Sequence, residues 1–429
     1  MLKGTSTRPI SLVMRVSRSI RLSVAAAVLA VGLAVLGLRE YLFSDYDVEA
    51  RPAFDALTGG DLAEFLALLP AYAGGMLLRA PFALAADAAG GGQLAVYRAV
   101  AIPGIVALAV LAVVLARRLP GRAAWVALLL VVANPLALNA LEIGHPEELL
   151  GAALCVAAVL AALADRPLLA GLLLGLAVGN KAWAVLAVGP VLLALRAGRT
   201  QAMLIAGGIL AVLTAPILFA SGEAARPAPV TGAIFQPWQV WWFLGDHGTE
   251  IVGTFGSEKP GYRAAPAWLS PIPRPLIVLA AVPLTLAAAR VRNRQPHDAL
   301  LLLALLLLVR CWLDPWNTAY YALPGILALL AWEVTRGRMP WCALAMTTLT
   351  WVTLTLVPSW VVPDLQAVAY LAWALPATGV MAYRLYRPAA AQSAASRAGA
   401  HLARLLPTLA PHLGANGVTP PGSAPSAGR

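Results

Sequence analysis

LEIGHPEELLGAALCVAAVLAALADRPLLAGLLLGLAVGNKAWAVLAVGPVLLAL, residues 141–195, holds most of what decides the fold. From Leu149 to Ala164 no charge interrupts the apolar run. A run of roughly 15–22 such residues matches the ~30 Å hydrocarbon core of a bilayer. After Asp165-Arg166-Pro167 the apolar character resumes over 168–195, but Gly179-Asn180-Lys181 breaks it near the middle. Each half has only about a dozen residues, short for a perpendicular crossing at about 1.5 Å per residue. The spacing therefore predicts a broken helical hairpin, or a pair of short helices, with Lys181 near the turn.

The same pattern extends outward in both directions. Further apolar stretches fall near 20–38, 94–116, 123–141, 148–164, 201–220, 275–289, 299–313, 319–334, 340–357 and 365–383. Of the 429 residues 60% are hydrophobic and 12% charged, about half the charge of a soluble domain. A soluble enzyme, a nucleic-acid-binding protein and a disordered chain are excluded. The reading is an all-α, polytopic helical membrane protein of about 10–12 spans. Its organisation is a basic N-terminus (1–22), a membrane domain (23–387) with long outer loops at 39–93 and 221–274, and a disordered tail (388–429). Within the first long loop, Leu62 to Ala86 reads as an interfacial amphipathic helix.

The net charge of +11 is a signal of topology. Residues 1–22, Arg117 with Arg118 and Arg122, Arg166, Arg196 with Arg199, Arg290 to Arg294, Arg336 with Arg338, and the tail fall on one face. That face carries 21 Lys and Arg against three acids. By the positive-inside rule it is cytoplasmic, with both termini. Cys155, Cys311 and Cys342 have no paired spacing, so neither a disulfide framework nor a zinc site is indicated.

Four polar clusters then share the opposite, outer face: Asp45-Tyr46-Asp47; Glu142 to Glu148 with His145 and Glu147; Gln236 to Trp242 with Trp238 and Trp241, followed by Asp246-His247; and Arg310 to Asn317 with Asp314. Each has an ordinary reading as a solvated loop or an aromatic belt. Their confinement to one face is the informative fact. Lys181 and Arg310 stand in or beside apolar segments, where such a charge costs about 2.5–3.5 kcal/mol and is kept with a partner or for a function. The ordinary reading is pairing with an acid such as Asp314; the sharper one is neutralising a lipid phosphate.

The run Gly144-His145-Pro146-Glu147 opening a span, then Gly175-Leu176-Ala177 leading to Lys181, resembles the C-type (GT-C fold) glycosyltransferases. It resembles especially the family 87 polyprenyl-phosphate mannosyltransferases and their relatives. The resemblance implies a catalytic carboxylate in the first long outer loop, Asp45 or Asp47. It also implies a polyprenyl-phosphate sugar donor held by Lys181 and Arg310, and a lipid or cell-envelope glycan acceptor. His145, Glu147 and Glu148 would orient sugar hydroxyls, with Trp238, Trp241, Trp242, Asp246, His247 and Asp314 as further substrate contacts. No cofactor is implied; Asp45/Asp47 or His145/Glu147/Glu148 could hold a divalent ion, but nothing in the spacing demands one. A transporter or lipid flippase is the alternative, since interrupted helices with midplane charges also serve there. Against it, the polar groups pile up on one side only.

Overall fold

The computed structural model describes residues 8–39, 44–69, 73–220, 234–246 and 262–388, together with 390 and 393. Its helices are α1 (Arg8–Gly37), α2 (Arg51–Thr58), α3 (Leu62–Ala67), α4 (Ala73–Ala88), α5 (Gln93–Ala116), α6 (Gly121–Val132), α7 (Pro135–Ile143) and α8 (Pro146–Leu163). There follow α9 (Pro167–Asn180), α10 (Val188–Ala194), α11 (Arg199–Ala220), α12 (Pro273–Ala289), α13 (Asp298–Leu313), α14 (Leu323–Thr335), α15 (Trp341–Trp351) and α16 (Pro363–Tyr386). A two-residue antiparallel pair, β1 (Ile234–Phe235) with β2 (Arg263–Ala264), is the one sheet among the described residues.

Each of the ten predicted spans is helical, and the protein is an all-α polytopic membrane protein. Seven stretches are long and apolar enough to cross a bilayer: Val16–Gly37, Gln93–Ala116, Gly121–Ile143, Pro146–Leu163, Arg199–Pro216, Trp341–Ser359 and Pro363–Tyr386. The predicted spans at 275–289, 299–313 and 319–334 are shorter. Two of them lie inside the bundle: in α13 every residue but Trp312 is buried, and in α14 every residue but Thr335. Such helices are apolar all round because protein surrounds them. By contrast α1, α11 and α16 present Val28, Val31, Leu204, Val212 and Val380 outward, as a face toward lipid does.

The break expected at 179–181 is present. Helix α9 stops at Asn180, Lys181 is extended (φ −150°, ψ 130°), and a tight 3₁₀ turn over Ala182–Ala187 leads into α10. The reading of Leu62 to Ala86 as one interfacial helix is corrected. The stretch divides into α3 and α4, and α4 is packed into the bundle against α5 and α9. A Cβ on Gly74 would collide with the Gly179 carbonyl oxygen, and one on Gly75 would lie 2.8 Å from that of Asn180. Only glycine allows the two backbones to approach so closely. That contact turns Arg79, one helical turn further along α4, toward the start of α8. Residues 221–233, 247–261 and most of the tail, including the stretch from His401 to Leu413, lie outside the described residues.

Candidate active site

The site is assembled where α7 ends and α8 begins. Asn134 caps α7 by accepting from the Leu136 amide at 2.9 Å, and Pro135 opens its first turn. The helix closes on Gly144, whose φ of +96° is left-handed. A Cβ there would meet the Tyr46 amide nitrogen at 2.6 Å and Ser44 Oγ at 2.9 Å. Glycine is thus needed twice, for the backbone angle and for the close passage of the segment 44–46. Pro146 starts α8, and Glu147 and Glu148 occupy its first turn, where the helix dipole favours negative charge.

Between these elements stands His145, 5% exposed. Its Nε2 is 3.1 Å from Asp45 Oδ2 and its Nδ1 is 2.8 Å from Glu147 Oε1. Burial opposes a charge on this imidazole, but the hydrogen bonds to Asp45 and Glu147 outweigh it and push the pKa up to about 10. His145 is therefore an imidazolium at neutral pH, donating to a carboxylate on either side. Its ring also lies 5.1 Å from that of Tyr320.

Glu147 is fully buried and held from several directions. Arg79 Nη1 approaches Oε2 at 3.0 Å, Lys181 Nζ approaches Oε1 at 3.1 Å, and Asn180 Nδ2 donates to the Glu147 carbonyl at 2.7 Å. Lys181 also lies 3.6 Å from Glu148 Oε1, which accepts from Trp183 Nε1 at 3.2 Å. The opposite Glu148 oxygen is buried with no hydrogen-bond partner among the described residues. Arg310 completes the wall, its guanidinium 4.2 Å from the Tyr321 ring and 5.1 Å from the Trp183 ring. Among the described residues no carboxylate lies within ion-pair distance of it.

The two candidate bases are in different settings. Asp47 is buried in its own turn: Oδ2 accepts from the Ser44 amide at 2.9 Å and Oδ1 meets Arg51 at 3.2 Å. The Asp45 side chain is about one-third exposed (32%) and bonded to His145. Above it, Tyr262 stacks on Trp316 with ring centres 5.7 Å apart, and burial together with the Asp45 charge raises its phenol above the usual range.

Of the remaining sequence candidates, Trp241, Trp242, Asp246 and Asp314 have partners of their own. Trp241 Nε1 donates to the Leu313 carbonyl at 2.7 Å, and Trp242, fully buried, donates to Asp364 at 2.7 Å beneath the Arg263 guanidinium. Asp314 caps the turn after α13 by accepting from the Trp316 amide at 3.0 Å, rather than pairing with Arg310. Asp246 pairs through its backbone with Ala264, and His247 lies outside the described residues. Trp238 is half-buried; its Nε1, like Gln236 Oε1, is buried without a hydrogen-bond partner among the described residues. Arg79 was absent from the sequence candidates. Its signal is a lone arginine in the run Met76-Leu77-Leu78-Arg79-Ala80-Pro81, at the same kind of cost that marked Lys181.

Among the described residues no group of three or more His, Cys, Asp or Glu is arranged to hold a metal ion. Residues 76–197 match the family model for the N-terminal domain of alpha-(1->6)-mannopyranosyltransferases. No curated protein and no solved structure matches the chain. The matched stretch contains Arg79, His145, Glu147, Glu148 and Lys181, and it bears out the resemblance drawn from Gly144 to Lys181. Residues 76–197 are thus similar to a mannosyltransferase N-terminal domain within a helical membrane protein, and this likeness supports a glycosyltransferase activity.

Proposed function

We propose that the protein moves a mannosyl residue from a polyprenyl-phosphate donor to a hydroxyl of a lipid or cell-envelope glycan acceptor, on the extracytoplasmic face of the membrane. Asp45 is the general base. It takes the proton of the acceptor hydroxyl as that oxygen attacks C1 of the sugar. The bond from C1 to the phosphate oxygen breaks, and polyprenyl phosphate leaves with the electron pair. One displacement inverts C1, and a phosphate leaving group needs no general acid. The observation that carries this reading is the row Asp45–His145–Glu147, with its exposed end at Asp45 and its buried end fixed by Arg79 and Lys181.

In this scheme His145 positions Asp45, while Glu147 fixes the ring. Arg310 and Lys181 supply positive charge for the donor phosphate and for the charge that develops on its bridging oxygen. Lys181 acts from behind Glu147 and Glu148, whereas Arg310 faces no carboxylate at ion-pair distance among the described residues.

The test is transfer of radiolabelled mannose from polyprenyl-phosphate mannose by purified protein in lipid. Wild type forms product and Asp45→Asn loses at least about 10²-fold. Transfer at the wild-type rate by Asp45→Asn removes the base assignment, and solute flux without any glycosidic product would favour a transporter.

A further inference from the structure

A groove of about 1170 Å³ lies between α1 and α5 on the outside of the bundle. Its walls are almost wholly aliphatic, with Ala30, Val31 and Val35 on one side and Ile102, Val106 and Val110 on the other. Several of these side chains are more than half exposed, among them Val31, Val35, Val106 and Val110. Arginines bracket both ends. At one end Arg98 donates to the carbonyls of Leu38 and Arg39 at 2.9 and 3.0 Å; at the other Arg117 reaches Ser23 Oγ at 3.4 Å.

Two features limit what can occupy it. The first is its length. From Arg98 to Arg117 the helix advances about 28 Å at 1.5 Å per residue, nearly the whole hydrocarbon core. The acyl chains of a phospholipid reach only the midplane and would fill half of it. A single chain that crosses both leaflets fills it all. The second is its connection to the site. Tyr97, next to Arg98, packs its ring 4.7 Å from that of Tyr46, which is next to Asp45. The Arg39 and Arg98 end of the groove thus lies across the packed Tyr97–Tyr46 pair from the proposed base, and it presents cations where an anionic headgroup would turn inward.

We propose that the α1/α5 groove seats the isoprenoid chain of the donor, with the phosphate leaving the groove at Arg39 and Arg98 toward Asp45. The inference rests on the polyprenyl-phosphate reading of the donor. The groove then measures chain length, because only a chain reaching past Val106 uses its far half.

Val106→Trp fills the groove midway on a face turned to lipid, away from the site. The measurement compares kcat/KM for mannosyl phosphates carrying a long polyprenyl chain or a chain of two isoprene units. Wild type should prefer the long chain by about tenfold or more, and Val106→Trp should lose that preference while using the short donor within about twofold of wild type. An unchanged preference, or an equal loss with both donors, overturns the groove. A photoreactive residue at Val110 gives a readout independent of turnover, because it lies about 18 Å from Arg98 along the helix. It should cross-link long-chain polyprenyl phosphate in competition with phospholipid. Transfer with cross-links to phospholipid alone sinks the groove and leaves the donor assignment intact. Cross-linking without any transfer sinks the proposed reaction and keeps the groove.

Discussion

Arg79 and Glu147 meet at 3.0 Å with side chains 1% and 0% exposed, so a residue of the first long loop is locked to the first turn of α8. The pair lies one step behind the histidine that holds Asp45. Buried pairs of this kind add little when intact and cost a great deal when one partner is removed.

Arg79→Met should lower unfolding stability by about 3 kcal/mol, at the lower end for a broken buried pair, because Lys181 and His145 still face Glu147. Thermal unfolding in detergent checks this, and Glu147→Gln added to Arg79→Met should recover part of the loss. A single variant as stable as wild type would show that the pair is not felt in the folded protein.

Asp45→Asn and Asp47→Asn should separate. The first removes the proposed base, and transfer should fall by about 10²-fold or more with little change in folding. The second loosens the turn from Ser44 to Arg51 by about 1 kcal/mol, one hydrogen bond's worth, and retains most activity. The reverse pattern in paired transfer and melting assays would exchange the roles of the two acids.

His145 carries a pH signature. Its pKa rises from an ordinary 6.5 to about 10 in the fold. Its charge therefore stabilises the folded state fully below pH 6.5, and that stabilisation is lost as pH climbs through about 10. Wild type should lose thermal stability across this window, and its kcat/KM should decline near pH 10. His145→Gln should flatten both profiles, and an unaltered alkaline limb in that variant would assign the limb to another group.

Gly144→Ala should act through position. The substitution forces a left-handed alanine against Tyr46, at a cost of about 1–3 kcal/mol. It moves Asp45 away from His145, and a displacement near 1 Å can lower turnover about 10²-fold. The expected result is a folded protein with depressed kcat, seen by pairing transfer rates with melting curves. Full activity would mean that the approach of residues 44–46 to Gly144 is not required.

The helices were legible because runs such as Leu149 to Ala164 and Leu300 to Val309 leave no other placement for their apolar surface. That α13 and α14 sit inside the bundle was not, since periodicity cannot tell a lipid-facing stripe from one facing protein when every position is Leu or Ala. His145 and Glu147 stand out as a polar cluster in a very short loop, and Lys181 as a charge inside an otherwise apolar segment. Asp45 and Asp47 could not be separated by spacing: both flank Tyr46, and only the turn back from Asp47 to the Ser44 amide decides which one faces His145. Arg79 was hidden inside a stretch read as amphipathic. The tryptophans at 241 and 242 drew notice for their density, but the partners of their indole nitrogens lie far along the chain, at Leu313 and Asp364.

The glycine contact between α4 and α9 bears on how the chain is made. Glu147 and Lys181 each disfavour release into lipid when alone, and each becomes tolerable once the other and Arg79 are in place. Their meeting requires α4 to rest directly on the end of α9, and Gly74 and Gly179 permit it. The ribosome supplies all three charges by residue 181, well before α12 to α16 exist. A bulkier residue at Gly74 should therefore appear first as a biogenesis defect, with nascent chains held at the insertion machinery and degraded, before any mature enzyme is available to be slow.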